Sequence, residues 1–153
     1  MTLLIAYTLA ASALVTAAAG HPLRAIPLEG ATAIASSCLA SPLFQQDDGR
    51  HCAALLVTMA GRESGYRLGA VGDGGRARGP FQVHTSTPPA TWAEAVNAYL
   101  PIVKRSMRAC PEHPLAVIAS GTCGNRAGRA ISAARILEAK RVYAAAPWKD
   151  DPS

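Results

Sequence analysis

RHCAALLVTMAGRESGYRLGAVGDGGRARGPFQV, residues 50–83, changes character once, and that change decides how the whole chain is read. Cys52 to Ala60 is an apolar stretch in which Cys52, Leu55, Leu56 and Met59 recur at helical spacing, so it predicts a buried helix. Asp47-Asp48-Gly49 precedes it, and an Asp there supplies an N-cap. Gly61 marks where the helix weakens or ends. From Gly61 to Pro89 the residues turn to glycine, charge and hydroxyl, and Gly65, Gly69, Gly72, Gly74, Gly75 and Gly79 leave no periodicity. This segment predicts a loop or short hairpin. A connection so long inside a single domain usually carries function.

Outward from this centre the pattern stays helical. Pro22, Pro27 and Pro42 punctuate a segment whose one helical stretch is about Gly30 to Leu39. After the glycine-rich loop, Thr91 is an N-cap candidate for a helix running to Met107. Its apolar stripe is Trp92, Val96, Tyr99, Leu100 and Val103, and Pro101 is expected to kink it. Helices of about His113–Ser120 and Arg126–Ala144 follow; Ile131, Ala134, Ile136, Leu137 and Val142 hold the core-facing set of the last. No repeat or linker interrupts them. The expected fold is mainly α, one domain over residues 21–153, with the 61–90 loop lining a cleft.

Half of the 153 residues are apolar and 16% are charged, which suffices for a core and is too little charge for a disordered chain. The first charged side chain is Arg24, so residues 1–20 form one uncharged block. Ala17-Ala18-Ala19 offers a signal-peptidase site and His21-Pro22 breaks a helix just beyond it, so a removable signal peptide is expected. The block lacks the Lys or Arg of a signal's first region. A membrane anchor through residues 1–20, and an internal buried helix, therefore stay open. Export to the periplasm or the extracellular space is expected in either of the first two cases.

Cys38, Cys52, Cys110 and Cys123 show neither a CxxC pair nor Cys/His spacing for zinc, so no metal site is expected. In an oxidising compartment they predict two disulfides. Proximity favours 38 with 52 and 110 with 123 among the three pairings. The formal charge of +5 suits a polyanionic partner. Aromatics at 5%, scattered rather than interleaved with Lys and Arg, argue against nucleic acid. Acidic cell wall fits better, with the protein acting as a monomer. His51, His84 and His113 have no Gly-x-Ser-x-Gly elbow or Cys/His protease signature beside them, and no Walker or dinucleotide loop is present. These histidines are expected at the surface or at caps.

Three pieces in order carry the chemistry: Arg62-Glu63-Ser64-Gly65-Tyr66, then Gly72-Asp73-Gly74, then Gly79-Pro80-Phe81-Gln82. Together they resemble the soluble lytic transglycosylase and goose-type lysozyme families, whose motif is a helix-terminal Glu-Ser, a Gly/Asp-rich loop and a Gly-x-x-Gln turn. The resemblance spans about residues 50–140 and is sharp over 62–83. It implies a lysozyme-like helical domain that cuts peptidoglycan glycan strands between N-acetylmuramic acid and N-acetylglucosamine, with no cofactor. Glu63 would be the acid/base. Elementary chemistry points the same way, because a glycosidic oxygen is a poor leaving group and must be protonated. A Glu ending an apolar helix is desolvated and keeps its proton, an effect for which the usual illustration is lysozyme itself.

The remaining motif residues carry two expectations each. Asp73, the one acid in the motif loop, either shapes the turn through backbone amides or positions water for hydrolysis. Ser64 hydrogen-bonds near the acid or the substrate's N-acetyl group, or only caps the helix end. Gln82 binds sugar amide or braces the cleft; Gly79 permits close backbone approach. Phe81 is expected to pack rather than stack on sugar, and Tyr66 is open between the two. Two departures stand out. Pro80-Phe81 replaces Leu-Met within the Gly-x-x-Gln turn, and the family's Tyr-Asn-x-Gly reads Ile118-Ala119-Ser120-Gly121 here. The Tyr expected to touch the Glu is missing, with Asn125 and Tyr143 as substitutes. A lysozyme-like protein that binds wall without cutting it is the reading this leaves open.

Overall fold

The computed structural model describes residues 1–20 and 24–148. In chain order the described elements are α1 (Thr2–Ala18), α2 (Leu28–Ala40), α3 (Arg50–Ser64), β1 (Val71–Gly72), β2 (Ala77–Arg78), β3 (Val83–His84), α4 (Trp92–Ala109), α5 (Ala116–Ser120) and α6 (Arg126–Ala145). The chain is mainly helical, as expected.

α3 is the axis of the packing. Every residue from Cys52 to Ala60 is buried, not one face only, because α1, α2 and α6 all pack against it. A helix apolar all round has no solvent side to offer, and its ends must carry the polarity. Asp47 does this at the N-terminus. Its carboxylate accepts from the backbone amides of Gly49 (3.0 Å), His51 (3.1 Å) and Cys52 (3.0 Å), satisfying amides that the helix itself leaves free. At the other end the helix does not stop at Gly61. It continues to Ser64, because Gly61 is where Val15 and the Tyr66 ring press closest: a Cβ there would lie 2.7–2.9 Å from them. Gly61 is thus a packing glycine, and termination falls to Gly65, at φ 61 and ψ 37.

Residues Thr2–Ala18 form α1, whose inner face packs on the core. α1 lays Leu4, Tyr7, Ala11 and Val15 into the same core as α3. Its buried hydroxyls find partners there: Ser12 Oγ accepts from Ile26 N (3.2 Å), and Thr16 Oγ1 donates to the Arg24 carbonyl (2.6 Å). Tyr7 Oη donates to the Tyr143 carbonyl on α6 (3.3 Å). α1 thus shares its core with α3 and α6. His21-Pro22, expected to break the helix, lies outside the described residues. No helix among the described residues is long and apolar enough to cross a membrane.

α4 follows its expected stripe, with Trp92, Val96, Tyr99, Leu100 and Val103 all buried and Pro101 inside the helix. Thr91 Oγ1 accepts from Glu94 N (3.1 Å) while Glu94 Oε2 accepts from Ala90 N (2.8 Å), a reciprocal cap. α5 is shorter than expected, since residues 111–115 are turns that precede it. On α6 the stripe is corrected. Gly128, Ser132, Ala139 and Val142 face the core, while Ile131 and Leu137 are 44% and 50% exposed.

The disulfides pair Cys38 with Cys52 and Cys110 with Cys123, as proximity suggested. The first staples α2 to the start of α3; the second ties the end of α4 to the turn before α6. With a sequence separation of 14, the Cys38–Cys52 bridge is worth about 3 kcal/mol in chain entropy. Replacing both residues by Ala is expected to lower the unfolding free energy by about that amount and so lower the denaturant midpoint, with a steeper slope because the opened chain exposes more surface on unfolding. An unchanged midpoint would mean the bridge restrains nothing that the core does not already hold.

Candidate active site

The site is assembled where α3 runs out of apolar neighbours. Glu63 lies in its last turn, two residues before the left-handed Gly65. Beyond it the glycine-rich segment folds into a three-stranded antiparallel sheet in the order β1-β2-β3, with Val71 opposite Arg78 and Ala77 opposite His84. The expected short hairpin is thus present, with a 3-10 turn at Asp73–Gly75 between its first two strands. Its turn residues are unusual. Tyr66, Asp73 and Gln82 all have positive φ (64°, 50° and 50°), a conformation that costs a non-glycine residue energy and concentrates at functional sites.

A cleft of about 380 Å³ opens between α3, the sheet, α5 and α6. Glu63, Asp73, Phe81, Gln82, His84 and Arg135 all line it. The structure thus brings the three motif pieces to one hollow. Glu63 itself is reachable by solvent, yet the protein around it desolvates the carboxyl enough to raise its pKa; Arg135 acts weakly in the opposite sense. The negative end of the α3 dipole also disfavours the carboxylate there.

Arg62 and Arg67 are the neighbours in sequence with which Glu63 could form an ion pair. Neither pair forms. Arg62 instead grips Glu138 on α6 in a forked contact, Nη2 to Oε1 at 2.8 Å and Nε to Oε2 at 2.9 Å. Arg67 donates through Nε to the Ser64 carbonyl at 2.8 Å. Among the described residues, Glu63 makes no ion pair and accepts no side-chain hydrogen bond. A desolvated, unpaired carboxyl in a cleft holds its proton to higher pH than an ordinary carboxyl.

Asp73 is differently placed. Its oxygens meet Arg76 Nη2 at 3.1 Å and His84 Nε2 at 3.0 Å, so it enters the cleft already paired. His84 is therefore a cleft residue, not merely a surface one. Gln82 is a brace: Nε2 donates to the Gly79 carbonyl at 2.9 Å, and Oε1 presses against the Cα of Gly72, where any side chain would collide with it. Gly79, at φ 77°, packs so near Pro89 that a Cβ would fall 2.6 Å from its ring. Both glycines let the turn close on Gln82.

Ser64 and Tyr66 do not reach this cleft. They line a neighbouring hollow of about 460 Å³ between the ends of α1 and α3, which touches the cleft through Glu63. Ser64 Oγ donates to the Ala60 carbonyl (3.0 Å) and accepts from Arg67 N (3.1 Å), which is the local cap of the two roles expected. Tyr66 is buried, its hydroxyl donating to the Ser12 carbonyl on α1 (3.3 Å), so it belongs to the core rather than to a sugar platform.

Phe81 packs, as expected, but on a residue with its own significance. Its ring stacks on Tyr99 at 4.3 Å and 9°. Tyr99, from α4, is buried, its hydroxyl has no hydrogen-bond partner, and the Glu63 charge adds to burial in raising its pKa. Neither Asn125, the N-cap of α6, nor Tyr143, stacked on His51, stands in for the absent family tyrosine in this cleft. Tyr99 is the tyrosine within electrostatic reach of Glu63. Its sequence signal was only a position in an apolar stripe. Arg135 was likewise one arginine among several on α6.

Comparisons with protein families, curated proteins and solved structures return no match for this chain.

Because burial raises the Glu63 pKa in the folded chain, the folded state holds this proton more tightly than the unfolded one. Stability is then lost as pH rises from the ordinary carboxyl range through the raised value. Glu63→Gln removes that loss. The variant is expected to melt above the wild type at about pH 8 and to differ little at about pH 3, read by thermal unfolding. A gap of equal size at both pH values would contradict the desolvated state of Glu63.

Proposed function

We propose that this protein cleaves peptidoglycan glycan strands with a lysozyme-like helical domain, by the single-acid lytic transglycosylase reaction. The observation that carries the reading is Glu63: a carboxyl with a raised pKa, free of ion pairs, at the junction of a buried helix and a glycine-rich sheet. Glu63 protonates the oxygen linking N-acetylmuramic acid to N-acetylglucosamine, and the bond from that oxygen to the muramyl anomeric carbon breaks. The muramyl 6-hydroxyl oxygen then bonds to the anomeric carbon while its proton passes to Glu63, restoring the acid. The products are a 1,6-anhydro end and a free N-acetylglucosamine end. No cofactor enters.

The pairing of Asp73 with Arg76 and His84 supports the single-acid form, since a carboxylate whose oxygens already meet an arginine and an imidazole is poorly free to act as a base for water. Its place in the same cleft favours a second reading, hydrolysis of the goose-lysozyme kind, with Asp73 and His84 positioning water. The two disulfides are consistent with action outside the cytoplasm, in the periplasm or beyond the cell. Tyr99, buried behind Phe81 and within electrostatic reach of Glu63, bears on the charge that this carboxyl carries during the reaction.

Mass spectrometry of purified peptidoglycan treated with the full chain tests the reaction. Anhydro-muropeptides that disappear with Glu63→Gln are expected, with a rate loss of roughly 100- to 10,000-fold. Reducing ends that fall sharply with Asp73→Asn would select hydrolysis. Uncut strands across several pH and salt conditions would end the enzymatic reading and leave wall binding.

Tyr99→Phe separates stability from catalysis. Removing a buried hydroxyl that has no partner is expected to leave the melting temperature unchanged or higher, while the rate falls roughly 10- to 100-fold. A full rate in this variant would remove Tyr99 from the mechanism.

A further inference from the structure

Glu63 is not the one charged group in the cleft without a partner. On α6, Arg135 stands one turn after Ile131, with which it lines the cleft, and one turn before Glu138, which Arg62 has taken. Arg135 forms no ion pair among the described residues, and its buried Nε has no hydrogen-bond acceptor. The wall beside it is apolar, formed by Leu115 at the start of α5, Ile118 of α5 and Ile131 of α6. On the facing wall the charges neutralise one another, Asp73 being held by Arg76 and His84.

A guanidinium kept half-buried against an apolar wall without a counter-ion is unfavourable unless something else supplies the anion. Glu63 is a poor supplier. It makes no ion pair with Arg135, and its work as an acid requires it to stay protonated while Arg135 favours the ionised form. The planar fork of a guanidinium matches a carboxylate arriving with the substrate.

We propose that Arg135 recognises a carboxylate on the glycan strand, so that the cleft selects strands by an anionic group near the bond to be cut. This rests on the glycan-cleaving reading above. Peptidoglycan offers that carboxylate from two sources, the lactyl group of a muramic acid that has lost its peptide or the stem peptide itself. Docking also neutralises the charge that draws Glu63 towards ionisation, so the acid is strengthened as a proton holder when substrate is seated. The other groups facing Glu63 do not provide this. Tyr99 of α4 is a neutral phenol, Asp73 and His84 of the sheet are paired with each other, Arg62 is held by Glu138, and α5 presents apolar residues to the cleft.

Binding to the full chain carrying Glu63→Gln, measured by calorimetry, tests the proposal without cleavage. The probes are peptide-free strands with free lactyl carboxylates, the same strands with that carboxylate converted to a methylamide, and strands bearing stem peptides. The free-carboxylate strand is expected to bind roughly tenfold more tightly than the methylamide, and Arg135→Gln to abolish the difference. Arg135→Lys should keep part of it. An Arg135-dependent preference for the peptide-bearing strand instead would place the carboxylate in the stem peptide and uphold the proposal. Equal binding of all three, or a preference that survives Arg135→Gln, overturns it, as does an unshifted alkaline limb of kcat/KM in active Arg135→Gln enzyme, where loss of the cation should move that limb to higher pH. If the wild type cuts every strand without selectivity, the proposed function stands and the role of Arg135 falls. Arg135-dependent selectivity without cutting separates the two the other way.

Discussion

A helix buried around its whole circumference constrains everything else in this protein. Between Cys52 and Ala60, α3 has no face to give to water, so its polarity must be resolved at the two ends. The N-terminal end is closed by a carboxylate, that of Asp47, whose side chain is itself fully buried and engaged by three backbone amides. The C-terminal end is closed by geometry, through the left-handed turn at Gly65 and Tyr66 and the fork between Arg62 and Glu138. Past the buried stretch the helix offers solvent two charged side chains, Arg62, which Glu138 takes, and Glu63, which meets the cleft. The position of the acid follows from the packing of the nine residues before it.

The cleft shows how neighbouring charges are kept from quenching one another. Arg62 is directed away by Glu138, Arg67 by the Ser64 carbonyl and Asp73 by Arg76 and His84. Among the described residues the buried polar side-chain atoms without a partner are the Tyr99 hydroxyl, the Ser106 hydroxyl and the Arg135 Nε. Native structures leave few such atoms, and those that persist call for an explanation. Of the three, Arg135 lines the cleft together with Glu63, which is exposed and unpaired, while Tyr99 lies behind Phe81.

Much of this was legible in the sequence where the signal is local. The buried helix, the hairpin, the disulfide pairs and Glu63 rest on short stretches whose spacing or composition is self-contained. Tyr99 was legible only as a member of an apolar stripe, because periodicity records which face a residue occupies and not whether its hydroxyl finds a partner. Arg135 was hidden among like residues, since its meaning depends on which arginine lacks an acid nearby. Ile131 and Leu137 were placed in the core by hydrophobicity, yet both are exposed, and Ile131 contributes to the cleft wall. Residues 1–20 were read chiefly as a leader because an uncharged, Leu- and Ala-rich block satisfies the requirements of a signal, an anchor and a core helix alike. In the fold the block is a helix whose Ser12 and Thr16 hydroxyls bond to the backbone at Ile26 and Arg24.

The contact between Tyr7 and the Tyr143 carbonyl, 136 residues apart, bears on how the molecule is made. α1 and α6 are both walls of the same apolar helix, and α6 leaves the ribosome after the helix it covers. Until α6 is synthesised, the side of α3 it will cover has no shelter, and exposed apolar surface of this kind drives association between nascent chains. The core around α3 therefore closes only when α6 has emerged, whatever the stability of the finished fold.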